Sequence, residues 1–416
     1  MSNDVDVVIV GGGLTGLACA LSLQEWNVPF LLLEAQDAVG GRVRTDKVEG
    51  FLLDRGFQVL LTAYPESQRV LDYDALDLKP FYPGALVRIE GKFHRVADFW
   101  RKPIAGLGTL FAPVGTLIDK IRVNNLRSRV RKHSIEELFS FPETTTLEHL
   151  RSFGFSERMI ERFFRPFFSG IFLEEALNTS SRMFDFVFRM FSDGDTSIPS
   201  QGMQTMPEQM AAKLPPTSIR TQARVSKVEE QGMVHLENGE TIQAKAVVVA
   251  TDAAAVPELV HGFSSPEWKS VCCVYYAAEK SPVVEPVLVL NAEGRGPVNN
   301  FSVLSDVASS YAPPGSALLS ASVLGNPDQS DEQLEMSVRD HLREWYGPTV
   351  SNWRHLRTYR IQHALPDQTP PALQDPERPV QLRPGLYLCG DHRDNASING
   401  AMVSGRRTAE ILLKQL

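Results

Sequence analysis

Cysteine is scarce in this chain: 416 residues contain 4, Cys19, Cys272, Cys273 and Cys389. None falls in a C-x-x-C or Cys/His spacing, which excludes a disulfide scaffold and the common zinc and redox motifs. All four lie in apolar stretches and read as reduced core residues, and no metal site is expected. Positive charge is also short. With 42 Lys and Arg against 50 Asp and Glu the net charge is -8, so no general basic footprint for nucleic acid exists. No apolar run is long enough to span a bilayer. The longest uncharged stretch, 103–118, is broken by Gly106, Gly108, Pro113 and Gly115 and falls short of the roughly 20 residues needed. The first residues have no basic flank and their apolar run ends at Gly11, so neither a signal peptide nor an anchor is expected, and a cytoplasmic or membrane-surface location is.

What is present fits a folded protein: 43% of residues are hydrophobic and 22% charged, and the length suggests two or three domains. Asp4–Val10 alternates and then becomes continuously apolar, Leu17–Trp26 has helical spacing, and Phe30–Glu34 reads as a second buried strand. Between them stands Gly11-x-Gly13-x-x-Gly16, which also contains Leu14 and Thr15. Such a β-turn-α-β unit binds a dinucleotide: Gly11 makes the turn, Gly13 admits a pyrophosphate, Gly16 lets helix and strand pack, and the helix N-terminus favours the phosphate charge. Glu34, followed by Ala35, is placed to accept hydrogen bonds from ribose hydroxyls. Just downstream, Gly40-Gly41-Arg42 permits a second close approach, and its guanidinium can neutralise pyrophosphate.

These residues resemble the flavin amine oxidase and phytoene desaturase superfamily, which includes protoporphyrinogen oxidase-like proteins. The resemblance recurs at Asp54-Arg55-Gly56-Phe57-Gln58, at Pro199–Met203, at Val225–Val228 with Val247–Thr251, at Gly390-Asp391 and at Ser397–Gly405. It implies an FAD cofactor. Gly56, Phe57 and Gln58 would pass close to the flavin ring, Val225 would read the adenine through its backbone, and Asp391 would hold the ribitol. The helix start at Gly400, Ala401 and Met402 would face the flavin with its dipole. The implied fold is α/β, or α+β overall: a doubly wound Rossmann-like FAD domain joined to a mixed-sheet and helical substrate domain. Residues 1–80, 195–265 and 380–416 are expected in the first, 81–194 and 266–379 in the second.

Within the superfamily the residues lean toward the carotenoid desaturase-like branch. The segment Phe163–Phe172 resembles those proteins, and eleven phenylalanines fall between Phe153 and Phe191, a density suited either to an apolar pocket or to two core-facing helices. The lysine that amine oxidases carry on a substrate-domain strand is missing from Val271–Tyr276, with Lys269 and Lys280 flanking it. Segment 392–399 also lacks the aromatic pair that sandwiches an amine. His363 and the His392-Arg393-Asp394 cluster are the only groups to consider for proton transfer; no catalytic residue is assigned. Lys120, Arg122, Arg127, Arg129, Arg131 and Lys132 lie on one amphipathic helix after the run Ile104–Ile118 and Phe99-Trp100, a pattern that suits either a solvated helix or a peripheral membrane face.

The expected function is hydride removal from a lipophilic small molecule by an FAD-dependent oxidoreductase, most simply a carotenoid-type polyene desaturase, with quinone or oxygen as acceptor. Amine or protoporphyrinogen oxidation, a flavin-dependent isomerase without net redox turnover, and a non-catalytic flavin-stabilised binding protein are the rivals.

Overall fold

The computed structural model describes residues 5–97, 101 and 112–415. The Phe99-Trp100 pair and residues 104–111, expected at a membrane face, lie outside the described residues.

Strand β1 (Val5–Val10) is β-branched and buried from Val7 onward, as a strand covered on both faces must be. It turns at Gly11 into helix α1 (Leu14–Glu25), and the chain returns as β2 (Phe30–Leu33). Strand β3 (Phe51–Asp54) makes a hairpin with Thr45–Val48. A helical region follows, with α2 (Leu117–Lys132), α3 (Arg165–Phe172) continuing a π-helical turn at Ile160–Phe164, and α4 (Ser181–Asp193). The remaining elements used below are β4 (Thr241–Val249), β5 (Trp268–Ala278), β6 (Val298–Val303), β7 (Ala317–Leu324), β8 (Arg354–Pro366), β9 (Leu386–Leu388) and α5 (Ile398–Leu413).

One sheet has a parallel core in the order Ile219–Arg220, β2, β1, β4, β9. Its order reverses between β1 and β4, and such sheets bind ligands at that reversal, outside the carboxyl ends of the strands. Between Ile219–Arg220 and Val225–Val228 the chain is broken at Gln222, whose φ of 53° is left-handed. Ile219–Arg220 pairs with β2, whereas Val225–Val228 joins a hairpin with Met233–Leu236 beyond β4. The mixed second sheet runs β8, β5, β7, β6, Leu288–Asn291, Gly84–Ile89 and Lys92–Ala97. Strand β8 carries Arg and His where apolar alternation would mark a strand, and the sequence pattern therefore shows only a segment without period.

The second sheet has two covered faces. On one, Phe301, Ala321 and Val323 pack beneath Leu334, Val338 and Trp345 of the helix Asp331–Tyr346, which begins at a Ser330/Gln333 capping box. The other face, with Cys273, Tyr275 and Leu318, turns toward α3, α4 and the nucleotide sheet. All four cysteines are free and buried. No described helix is long and apolar enough to cross a membrane.

Candidate active site

A cavity of about 1040 Å³ starts at the carboxyl end of β1 and reaches the second sheet and the helices above it. Its nucleotide end is built from backbone. Gly11, at φ +111°, cannot be replaced without strain, and a Cβ there would lie 2.8 Å from Ala250 O. Gly13 differs. Its φ of -72° suits any residue, and a Cβ would meet no protein atom nearer than Gly41 Cα, 4.0 Å away, so it would project into the cavity. Gly13 and Gly41 thus face each other across an open cradle. The Glu34 carboxylate is buried and accepts hydrogen bonds from Gly12 N and Gln36 N, both at 2.7 Å.

Arg42 joins the segments. Its guanidinium contacts Asp391 at 2.7 Å, donates to Ala364 O at 3.0 Å, and lies 5.6 Å from the Trp268 ring centroid. The Gln58 amide donates to Arg42 O at 2.9 Å, leaving Gln58 Oε1 buried without a partner. Thr251 Oγ1 is likewise orphaned on the wall. An open cradle between two glycine turns, a capped acid at the end of β2 and orphaned polar atoms fit a dinucleotide with a second ring system, the shape and chemistry of FAD. Ser397 caps α5 by accepting from Gly400 N at 2.9 Å, and Ile398 and Ala401 put the first turn of that helix on the wall.

Of the residues expected from sequence, Gly11, Gly13, Leu14, Thr15, Glu34, Ala35, Gly41, Arg42, Gly56, Phe57, Gln58, Val225, Gly390, Asp391 and Ala401 line this cavity. Gly16, Gly400 and Met402 do not. A Cβ on Gly16 would collide with Gly11 O and one on Gly400 with Asn395 O, so both serve close packing, while the Met402 side chain is fully buried beside Ser67 Oγ at 3.8 Å. Asp54, adjoining this wall, is sealed in. Its carboxylate accepts from Thr45 Oγ1 at 2.5 Å, Met203 N at 3.0 Å and Tyr311 OH at 2.9 Å, yet burial lifts its pKa to about 6.

The sequence missed part of the wall: Tyr64, residues 359–366 of β8 other than His363, and Ser322 with Leu324 on β7. Period-two alternation of Leu318, Ser320, Ser322 and Leu324 is the signal that could have found the last pair. Val271 occupies the wall on β5 as well, with Lys269 beside it, but Lys269 is tied to Asp367 at 3.0 Å. His363 packs against Trp268 with centroids 5.2 Å apart. His392 is buried, its Nε2 lacks a partner, and burial pushes its pKa down to about 4; Asp394 is raised by burial to about 6 while held by Arg407 at 3.0 Å.

Most of the phenylalanine segment is core. Phe164, Phe168, Phe172, Phe184 and Phe186 are all under 2% exposed, and the Phe168 and Phe184 rings are 4.7 Å apart. Phe172 and Phe191, with Met183 and Val187, reach the wall. The basic helix spends much of its charge internally: Arg129 meets Asp185 at 2.8 Å, Arg131 meets Asp193 at 2.7 Å, and Arg127 donates to Ser192 O at 3.0 Å. Arg122 lies 3.8 Å from Asp119. What its first turns expose is apolar, with Leu117, Ile118 and Ile121 each 58–65% accessible.

Residues 14–413 match the family model "Flavin containing amine oxidoreductase". The chain is 24% identical to coproporphyrinogen III oxidase of Bacillus subtilis (strain 168) over 285 residues, 58% of this chain and 59% of that protein. It is 26% identical to polyamine oxidase 2 of Arabidopsis thaliana over 274 residues, 63% of this chain and 54% of the relative. Among solved structures, a protein of Exiguobacterium sp. 255-15 assigned as a protoporphyrinogen oxidase superposes over 100% of both chains with a TM-score of 0.75 and 20% identity. The chain therefore spans under two thirds of these curated relatives and shares the fold of the solved one.

Proposed function

The chain belongs to the flavin containing amine oxidoreductase family of FAD-dependent oxidoreductases, and from that premise we propose that it removes a hydride from a neutral, lipophilic substrate, a carotenoid-type polyene being the simplest case. The observation that carries this reading is the pairing of charge on the cavity wall. Each described Arg or Lys there already faces a carboxylate: Arg42 with Asp391, Arg55 with Asp46, Arg224 with Glu237, Lys269 with Asp367 and Arg360 with Asp331. The wall carboxylates other than Asp391, namely Glu34, Glu237, Asp252 and Glu258, belong to the nucleotide end. A substrate bearing several carboxylates would find no unpaired cation, and a cationic amine no unpaired anion beside the helices. The wall there is mainly apolar, with Leu61, Tyr64, Ile171, Phe172, Met183 and Phe191 beside the neutral polar Thr179 and Gln368.

Bound FAD supplies a two-electron acceptor, which quinone or oxygen would then reoxidise. The chain supplies position and field. Gly56, at φ +98° and 3.4 Å from Ile361 Cδ1 to its would-be Cβ, keeps the wall flat where a ring must lie. The N-terminus of α5 favours negative charge accumulating opposite it. Lys269, held by Asp367, is not poised as a free base, and Tyr359 donates its hydroxyl to Asp46 at 2.7 Å. We also propose a peripheral lipid contact through Leu117, Ile118 and Ile121, by which a substrate dissolved in a bilayer would be reached.

The relatives' names favour two other substrate classes, porphyrinogens and polyamines, and one experiment separates all three. The yellow protein is mixed anaerobically with acyclic carotenoid precursors in liposomes, with coproporphyrinogen and with a polyamine, and the flavin band is followed. Bleaching by the polyene is expected. Bleaching by porphyrinogen or amine alone would replace this reading.

A further inference from the structure

We propose that the buried Ser322 hydroxyl forms a hydrogen-bonding floor at the substrate end of the cavity that receives a neutral oxygen function, hydroxyl or carbonyl, of an otherwise lipophilic substrate. The proposal rests on the reading of this cavity as a site for a neutral lipophilic molecule.

Three serines with unpartnered buried hydroxyls lie on β6, β7 and the helix packed on them, and of these Ser322 lines the cavity. Ser322 stands on β7 opposite Asn300 of β6, and Ser302 stands opposite Ser320 in the next row, so all point from the same face of the sheet, opposite to Phe301, Ala321 and Val323. Ser169 belongs to α3, which packs on these strands so closely that a Cβ at the next residue, Gly170, would lie 2.7 Å from Asn300 Nδ2. Ser169, Ser302 and Ser322 are 1%, 1% and 3% exposed, and none of their hydroxyls has a partner. Ser320 differs, with its Oγ 3.2 Å from Cys273 Sγ. Ser322 and Gly170 both line the cavity.

A buried hydroxyl without a partner destabilises a fold, and a strand interior of this kind ordinarily holds valine or isoleucine. The Ser322 hydroxyl, buried yet on the cavity wall, is explained by a ligand that completes it. The ligand group is neutral because Arg357, the cation on these rows, already faces Asp46. The titratable neighbours along these rows are Cys273 and Tyr275 on β5 and Tyr359 and Arg357 on β8; burial pushes Cys273 and Tyr275 upward, Cys273 to about 11, and Arg357 faces Asp46 at 3.5 Å. A hydroxyl or carbonyl oxygen can accept from Ser322 and, as a hydroxyl, donate back.

Farnesol and farnesene, an isoprenoid alcohol and its hydrocarbon, test this with the FAD-loaded protein by calorimetry. Wild type should bind farnesol about tenfold more tightly, the effect of one neutral hydrogen bond. Ser322→Ala should bring the ratio near one, leave farnesene binding unchanged and not lower the melting temperature, and Ser322→Thr should keep the preference. Equal affinities in wild type, or an unchanged ratio in Ser322→Ala, would overturn the floor while leaving the lipophilic cavity standing. Binding of neither compound would overturn the lipophilic reading and the floor with it.

Discussion

Tyr311 donates its hydroxyl to Asp54 at 2.9 Å, joining two residues 257 positions apart in a fully buried contact next to the cavity wall. Even with this bond and two others, burial keeps the carboxyl pKa at about 6, above its ordinary 3.8. The folded state therefore holds this proton more tightly than the unfolded chain. The associated stabilisation is complete below pH 4 and is lost as pH rises to about 6, on the order of 2–3 kcal/mol. Asp394 has the same sign. His392, lowered to about 4, opposes both, because its contribution is lost as pH falls from 6.5. Asp54→Asn removes one arm, so its melting temperature relative to wild type should climb between pH 4 and pH 7; a difference that stays flat across that range would contradict the titration.

Gly13→Val should give a folded, colourless protein. The backbone there accepts a side chain and no protein atom opposes it, yet the side chain would occupy the cradle between the two glycine turns. Retention of the flavin spectrum by a well-folded Gly13→Val protein would refute the cradle assignment.

Two phenylalanines from one segment should separate packing from binding. Phe168, 1% exposed and ringed by other phenylalanines, should cost about 3–5 kcal/mol on truncation to alanine. Phe191 is partly exposed and lines the cavity, so Phe191→Ala should cost less stability and weaken farnesene binding instead. Chemical denaturation beside calorimetry gives both numbers.

Lipid contact should depend on apolar residues more than on charge, since Arg127, Arg129 and Arg131 are already bonded to α4 or its flank. Flotation with vesicles should survive moderate salt and be lost in Leu117→Glu/Ile121→Glu. Binding that salt abolishes would return the basic residues to the leading role.

The nucleotide end was legible because its information is local. Gly11, Gly13, Gly16 and Glu34 act within one β-turn-α-β unit, and their spacing already states the geometry. The opposite end was not. That Lys269 is neutralised by Asp367, or Arg42 by Asp391, depends on where separated segments meet, and nothing near either residue announces its partner. Density of phenylalanine suited a pocket and a core alike, and burial assigns most of those rings to the core, because a helix needs one apolar face whether or not a ligand is nearby. Period-two spacing could put Ser320 and Ser322 on one face of β7, but the missing partner of Ser322 could not be read until its neighbours across the sheet were known.

The contribution of β9 and α5 has a consequence for how the molecule comes into being. Asp391 is the ion partner of Arg42, α5 provides a wall of the site, and Gly405 lets that helix press against α1 at Thr15. During synthesis the glycine turn leaves the ribosome early, but its site is completed only when Leu386–Leu413 has followed. Completion of the cofactor site thus waits for translation of α5, and a chain cut short before it would lack that wall and the Asp391 partner of Arg42, leaving the glycine turn open to proteolysis.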